Sequence, residues 1–258
     1  MISNTCYRRA TLLALAFLVV GGAVSSFADT GHERKAKKTL LESSVATYQI
    51  LQGEATVGSE TVTHEVWGDN SVVYKSVIGM SLAEGARWDQ TTELVLDEES
   101  YFPRSYSMTK LMVYGEQKVE QSASVRMVAN VAVISTRISG SESKQNVVVP
   151  AGTSFNETGV MHLIHQLLFW YDADVAGRQT FTFLDVSRGQ TEDVVLHKGE
   201  RETIEVNGET IEVDTFALER STVTQRYFVD DDGRIVRADF GYIVYSLSDW
   251  TRRDRQEG

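Results

Sequence analysis

Residues 202–214 read Glu-Thr-Ile-Glu-Val-Asn-Gly-Glu-Thr-Ile-Glu-Val-Asp, and this stretch decides how the rest of the chain is interpreted. Ile204 and Val206 alternate with polar residues, and the same alternation returns after Asn207-Gly208. An apolar residue at every second position is typical of a half-buried strand. Asn-Gly favours a two-residue type I′ turn, because both central residues of that turn need a positive φ. The stretch therefore predicts an antiparallel β-hairpin.

Similar alternating segments, separated by short turn signals, occur along most of the chain. The predicted strands are 46–52, 57–67, 71–80, 87–96, 104–113, 118–128, 131–138, 144–149, 179–184, 191–198 and 242–247. Strands at such regular spacing are typical of sandwiches and barrels. The chain has 258 residues and only two prolines, with no low-complexity linker. We therefore predict one all-β domain over residues 45–250, built as a curved antiparallel sheet or half-barrel.

The alternation changes phase directly after the hairpin. Ile211 and Val213 occupy odd positions, whereas Phe216 and Leu218 occupy even ones. A shift of one residue moves every side chain to the other face of a sheet. The simplest expectation is a β-bulge near Asp214-Thr215, which would restore a common buried face.

One segment, about residues 158–172, has the period of a helix instead. Its apolar residues are spaced as on one side of a helix: Val160, Leu163, Ile164, Leu167 and Leu168. Thr158 is suited to be the N-cap, because its hydroxyl can accept a hydrogen bond from a free backbone N–H. We expect one amphipathic α-helix that packs its apolar side against the sheet.

The first 28 residues have the features of a secretory signal peptide. Arg8 and Arg9 precede an apolar run over 10–24, which is short for a membrane span. Ser26-Phe27-Ala28 then offers small residues at the −3 and −1 positions of a cleavage site. An uncleaved membrane anchor is the alternative. The prediction is a periplasmic or secreted protein that does not span a membrane after cleavage.

Cleavage would also change the composition of the chain. The segment contains the only cysteine, Cys6, and two arginines without acids, so the net charge of −11 becomes more negative. An acidic chain disfavours nucleic acid and anionic membrane surfaces as main partners. Residues 29–44 are predicted to be a flexible leader and 251–258 a charged tail, because polar termini are commonly poorly ordered.

Sequence motifs of common enzymes are absent from the chain. It contains no Gly-x-Ser-x-Gly, no Gly-rich phosphate loop and no Gly-x-Gly-x-x-Gly, and we predict no cofactor. A hydrolase that uses two carboxylates stays open, because 36 acidic residues offer many pairs whose separation depends on the fold.

Two motifs resemble metal sites only in part. His162 and His165 are three residues apart on the predicted helix, but a zinc site needs three or four ligands. We therefore predict no metal and keep the two histidines as weak candidates. Asp230 to Gly233 resembles part of a calcium loop, but Phe228 replaces its first acid. A tight turn is the better interpretation.

Aromatic residues are the remaining candidates for ligand binding. Tyr48, Trp67, Trp88, Trp170 and Tyr227 are spread over the predicted strands and helix. Tyr74, Tyr106 and Tyr242 belong to the same pattern. Such rings line apolar pockets with a few polar groups that orient the ligand. Packing in the core and between strands is the alternative explanation.

Taken together, the chain over residues 45–247 resembles a family of bacterial exported proteins, a domain of unknown function built as a curved antiparallel half-barrel. The features that carry the resemblance are Tyr48-Gln49-Ile50 followed by Val57-Gly58, the helix near 158–172, Phe181 to Leu184, Asn207-Gly208, and Asp231-Asp232-Gly233-Arg234-Ile235-Val236-Arg237. The resemblance implies a periplasmic location and a concave sheet that holds a lipid or another ligand. It implies no catalytic residues.

Three functional hypotheses follow. The first is an exported, non-enzymatic binding module that holds an apolar or amphipathic ligand, such as an envelope lipid, on the concave sheet. The second is an interaction or structural protein of the envelope, whose partner protein meets a sheet edge. The third is a hydrolase with an unrecognised carboxylate site.

Overall fold

The computed structural model describes residues 39–82, 85–175, 177–221 and 223–253. The predicted signal peptide 1–28, and Cys6 with it, lie outside the described residues. Within the described ranges the chain forms β1 Leu40–Gln52, β2 Ala55–Trp67, β3 Ser71–Ser81, β4 Arg87–Asp97, β5 Pro103–Tyr114, β6 Gln117–Val128, β7 Val131–Ile138, β8 Ser141–Val148, β9 Thr153–Asn156, α1 His165–Trp170, β10 Arg178–Asp185, β11 Gln190–Lys198, β12 Glu202–Val206, β13 Glu209–Glu219, β14 Thr224–Val229, β15 Ile235–Asp239 and β16 Val244–Arg253.

The strands make one large curved sheet that is not closed into a barrel, which confirms the predicted fold class. Its order is β8-β7-β6-β5-β4-β3-β2-β1-β16-β15-β14-β13-β11-β10-β9, and β12 pairs with β13 off this path. The register is antiparallel throughout, except that β9 runs parallel to β10.

The chain itself limits how far the sheet can open. β8 and β9 lie at opposite ends of the sheet order, yet only residues 149–152 connect them. Five Cα-to-Cα steps reach at most about 18 Å. The side chain of Gln145 also lies against the backbone of Gly189 in the turn between β10 and β11. The two ends of the sheet therefore approach each other, which gives the half-barrel its concave interior.

The sequence misplaced both ends of the domain and missed one strand. β1 begins at Leu40, within the segment predicted to be a flexible leader over 29–44. β16 continues to Arg253, so three residues of the predicted tail 251–258 pair with β1. β9 is short, and all four of its residues are buried, so it shows no alternation.

The predicted hairpin is present, but the predicted β-bulge near Asp214-Thr215 is not. Asn207 and Gly208 have φ values of 54° and 79° and connect β12 to β13. β13 pairs with β12 and then with β14 without a register shift. Val213 instead packs in a small cluster with Val206, Phe228 and Val236, whereas Phe216 and Leu218 belong to the main core. Both faces of this strand bury apolar residues.

The helix is shorter than the predicted span 158–172. A 3₁₀ turn, His162–Ile164, leads into α1, which has six residues. Gly159 has a φ of +75°, which is incompatible with a right-handed helix, so Thr158 is not an N-cap. Leu163, Ile164 and Leu167 are buried in the main core on the concave side. No helix among the described residues is long and apolar enough to cross a membrane.

Candidate functional site

Five positions that lie opposite one another on β2 to β6 form a row on the inner face of the sheet, beneath the helix. All of them except Ile78 carry polar side chains, and we call this set the polar row. In the strand register Glu60 lies opposite Ile78, and Ile78 lies opposite Gln90. Gln90 lies opposite Lys110, and Lys110 lies opposite Gln121. Glu60, Gln90 and Lys110 are buried. Buried polar groups need partners, so this row explains how the segment that contains the helix is held.

At one end of the row a histidine from the 3₁₀ turn meets the glutamate. The hydroxyl of Ser76 donates to Oε1 of Glu60 at 2.6 Å, and Nδ1 of His162 lies 3.5 Å from the same oxygen. Nε2 of His162 lies 3.3 Å from the hydroxyl of Thr92. A hydroxyl, an imidazole and a carboxylate in this order have the connectivity of a hydrolytic triad.

This arrangement is closed to substrates. His162 and Glu60 have no exposed surface and Thr92 is 5% exposed. Neither of the two cavities described below includes any of the three side chains. Oε2 of Glu60 has no hydrogen-bond partner among the described residues. The geometry fastens the helix to β2 and β4, and it offers no accessible nucleophile for the hydrolase hypothesis.

At the other end of the row a lysine holds the loop before the helix. Nζ of Lys110 lies 3.2 Å from Oε1 of Glu157, and both side chains are buried. Ser187 donates to the second oxygen of Glu157 at 2.7 Å, and Gln121 donates to Ser187 at 3.2 Å. Lys110 also lies 4.7 Å above the ring of Trp88. The two buried carboxylates, Glu60 and Glu157, thus have separate partners and do not form a facing pair.

Two cavities lie at opposite ends of the strands, on either side of the helix segment. The first cavity lies where β4, β14 and β16 begin and where β3 and β13 end. The second cavity lies at the opposite ends of most of these strands. Leu163 and Ile164 line the first cavity, and His165 and Leu168 line the second. Their volumes are about 360 and 600 Å³.

The first, which we call the aromatic cavity, is lined by Trp88, Phe183, Tyr227, Phe240 and Tyr245 among others. The Phe240 ring lies 5.8 Å from that of Tyr227 and 5.2 Å from that of Tyr245. Burial raises the pKa of the Tyr227 and Tyr245 phenols well above the ordinary value. Both phenols therefore stay neutral, and this wall of the cavity carries no charge.

Gly159 permits close packing between the helix segment and the aromatic cavity. A Cβ atom at this position would lie 3.1 Å from Cη2 of Trp88, which is tighter than ordinary contact. The phenol of Tyr245 donates to the carbonyl of Gly159 at 3.0 Å. The position therefore needs glycine both for its positive φ and for the approach of the indole.

Two arginines and the exposed Tyr242 also line this cavity. Arg188 is 77% exposed and lies 3.9 Å from Asp185. Arg220 is largely buried and pairs with Glu192 at 2.7 Å. Tyr242 also lines this cavity and is 70% exposed. The lining thus combines aromatic side chains with two carboxylates, those of Glu157 and Asp185, and two arginines, of which Arg188 is the more exposed.

The second, which we call the acidic cavity, is lined by Glu42, Asp214, Asp230, Asp231 and Asp232 together with aromatic residues and two histidines. The histidines lie against one ring: the centroids of His64 and His165 are 4.8 and 5.0 Å from that of Tyr74. Burial lowers the pKa of His64, and burial together with His64 and His162 lowers the pKa of His165 to about 3. Both imidazoles are therefore neutral near pH 7.

The five aromatic candidates from the sequence are separated by the fold. Tyr48 lines the acidic cavity and donates to the carbonyl of Ile235 at 2.9 Å. Trp88 and Tyr227 line the aromatic cavity. Trp67 lines neither and donates to Glu65 on the same strand. Trp170 donates to the carbonyl of Ser100 and lines a shallow depression near β9.

The two histidines proposed as weak metal candidates point to different surroundings. His162 contacts Glu60 and Thr92, whereas His165 stacks on Tyr74 and lines the acidic cavity. Among the described residues no group of three or more His, Cys, Asp or Glu side chains is arranged to hold a metal ion. The Asp230 to Gly233 segment forms a turn, closed by hydrogen bonds between Asp230 and Arg234.

Neither the polar row nor the arginines of the aromatic cavity were predicted from the sequence. A signal was present: Gln90 and Lys110 occupy even positions in strands whose other even positions are largely apolar. A polar residue at an inward position of a strand indicates a buried partner. The alternation alone could not identify Glu157 or His162 as those partners, because they come from another part of the chain.

Comparisons with known proteins relate this chain to others only through its fold. No family model matches it, and no curated protein matches it at a significant level. Its structure is similar to the crystal structure of a β-barrel-like protein of the domain of unknown function DUF1849 from Brucella abortus, with a TM-score of 0.53. The similarity covers 85% of this chain and 100% of that one at 11% sequence identity. The two chains thus share a β-barrel-like architecture.

Proposed function

We propose that this protein is an exported binding protein that holds a small amphipathic ligand in the aromatic cavity. The observation that carries the proposal is the combination of aromatic walls with Arg188 at the solvent side. A cavity of about 360 Å³ falls within the range of small-molecule sites, about 300–1,000 Å³. The signal-like segment over 1–28 supports the export part of the proposal.

The chemistry of the lining favours a ligand with an apolar tail and an acidic head. Transfer of each CH₂ group from water to apolar surroundings contributes roughly 0.8 kcal/mol, so a tail needs no special motif. Arg188 lies 3.9 Å from Asp185, which is long for an ion pair, and its side chain is mostly exposed. Its guanidinium can therefore pair with a second anion. A fatty-acid-like molecule combines both features.

Titration of the purified protein with dodecanoate, followed by calorimetry, tests this proposal. We expect saturable binding that is weaker for dodecanol, because the alcohol lacks the charge that pairs with an arginine. Val223, which lines the aromatic cavity, is replaced by tryptophan to fill it. Val77→Trp is the matched control, because Val77 is 59% exposed on the outer side of β3.

The expected result is loss of binding in Val223→Trp and retention in Val77→Trp. Arg188→Gln should reduce the preference for the acid over the alcohol, whereas Arg137→Gln, at another exposed arginine, should not. Equal binding by both tryptophan variants, or no saturable binding by the unmodified protein, would overturn the proposal.

A further inference from the structure

We propose that Trp88 limits the length of the tail that the aromatic cavity accepts, so that this side chain determines which fatty-acid-like molecules bind. The inference rests on the function proposed above and adds to it the residue that determines specificity. Trp88 lines the cavity and comes from the start of β4. Its indole closes the cavity toward the buried polar row.

The strand register places Trp88 between the cavity and the polar row. Trp88 lies opposite Met80 of β3, which also lines the cavity, and opposite Met112 of β5. The next residue of β4 on the same face is Gln90 of the polar row, because alternate residues of a strand share a face. The cavity lining includes no member of the polar row. The indole therefore stands where the cavity ends and the polar row begins.

Three contacts hold the indole in this position. Its Nε1 donates to Oε1 of Gln90 at 2.9 Å, and Nζ of Lys110 lies 4.7 Å above the ring. The outer edge of the ring packs against Gly159, where a Cβ atom would lie 3.1 Å from Cη2 and 3.3 Å from Cζ2. The ring is thus held at its nitrogen, on one face and at its outer edge.

The buried amide of Gln90 raises the cost of moving the indole. Gln90 is 1% exposed, and its Nε2 has no hydrogen-bond partner among the described residues. Rotation of Trp88 would also remove the donor to Oε1, and a buried polar atom without a partner costs free energy. Displacement of the indole is therefore unfavourable, and a tail longer than the space in front of it leaves its last CH₂ groups in water.

Calorimetric titration of the complete protein with even-numbered fatty acids from octanoate to hexadecanoate, each below its micelle concentration, tests the inference. The affinity should rise about 4-fold for each CH₂ group that is buried. It should level off at the chain length whose tail reaches the indole. In Trp88→Ala the affinity should continue to rise for at least one further member of the series. Trp88→Leu should shift the limit in the same direction, and it decides the question if Trp88→Ala does not fold.

Trp67→Ala is the matched control, because Trp67 lines neither cavity. Its affinities should level off at the same chain length as those of the unmodified protein. The inference is overturned, with the proposed function left standing, if every folded Trp88 variant keeps the limit of the unmodified protein. It is also overturned if the unmodified protein shows no limit up to hexadecanoate. If no fatty acid binds saturably to the unmodified protein, the proposed function fails and the inference fails with it.

Discussion

Nζ of Lys110 lies 3.2 Å from Oε1 of Glu157, and the two side chains are only 7% and 2% exposed. The pair joins β5 to the loop that precedes the helix, and the hydroxyl of Ser187 satisfies the other carboxylate oxygen. Two charges removed from water are tolerated only when each is paired. This contact therefore fixes the position of the helix segment between the two cavities.

Removal of the lysine should destabilise the fold strongly. Lys110→Met keeps the volume of the side chain but leaves the carboxylate of Glu157 buried without its cation, so we expect the free energy of unfolding to fall by about 3–5 kcal/mol. Urea denaturation measures the change. The double variant Lys110→Met/Glu157→Gln should be more stable than Lys110→Met alone, because no unpaired charge is left. If the losses of stability in Lys110→Met and in Glu157→Gln add up to the loss in the double variant, the ion pair is contradicted.

Replacement of Gly159 tests the contact with Trp88. Gly159→Ala places a Cβ atom 3.1 Å from the indole at a φ of +75°. Gly115→Ala is the control, because its φ is +60° but nothing lies within 4 Å of the added atom. The positive φ alone should cost about 1–2 kcal/mol in both variants. Gly159→Ala should lose more stability and also shift the tryptophan fluorescence; equal losses with unchanged fluorescence would contradict the packing.

His165, which stacks on Tyr74, should make the free energy of unfolding depend on pH in the acidic range. The pKa of His165 is about 3 in the folded protein and about 6.5 in an unfolded chain. Between these values the unfolded state binds more protons, so the free energy of unfolding decreases as the pH falls, by at most about 1.4 kcal/mol per pH unit from this group.

His165→Phe keeps a ring on Tyr74 but removes the proton-binding site. The loss of stability between pH 7 and pH 5 should therefore be smaller in this variant than in the unmodified protein. His197→Phe is the control variant, because His197 contacts Glu219 and lies away from this cluster. Denaturant titrations at the two pH values give the comparison, and identical losses in all three proteins would show that His165 is not buried as a neutral group.

Much of the fold could be predicted from the sequence because its signals are local. The hairpin at Asn207-Gly208 depends on two positive φ values and the alternation on either side of them. The phase change between Val213 and Phe216 was also real, but its cause was misinterpreted. A bulge and a strand that is buried on both faces produce the same pattern, and only the position of β12 over the outer face distinguishes them.

The sequence by itself determined most of the strands, the hairpin turn and the all-β architecture, since each of these depends on residues that are near neighbours along the chain. Only the tertiary structure decided which face is concave and which residues meet there. Glu60 and His162 are 102 positions apart, and Lys110 and Glu157 are 47 apart. Their contacts depend on strand register and on the path of the loop before the helix, and side-chain alternation along a single strand carries no information about either.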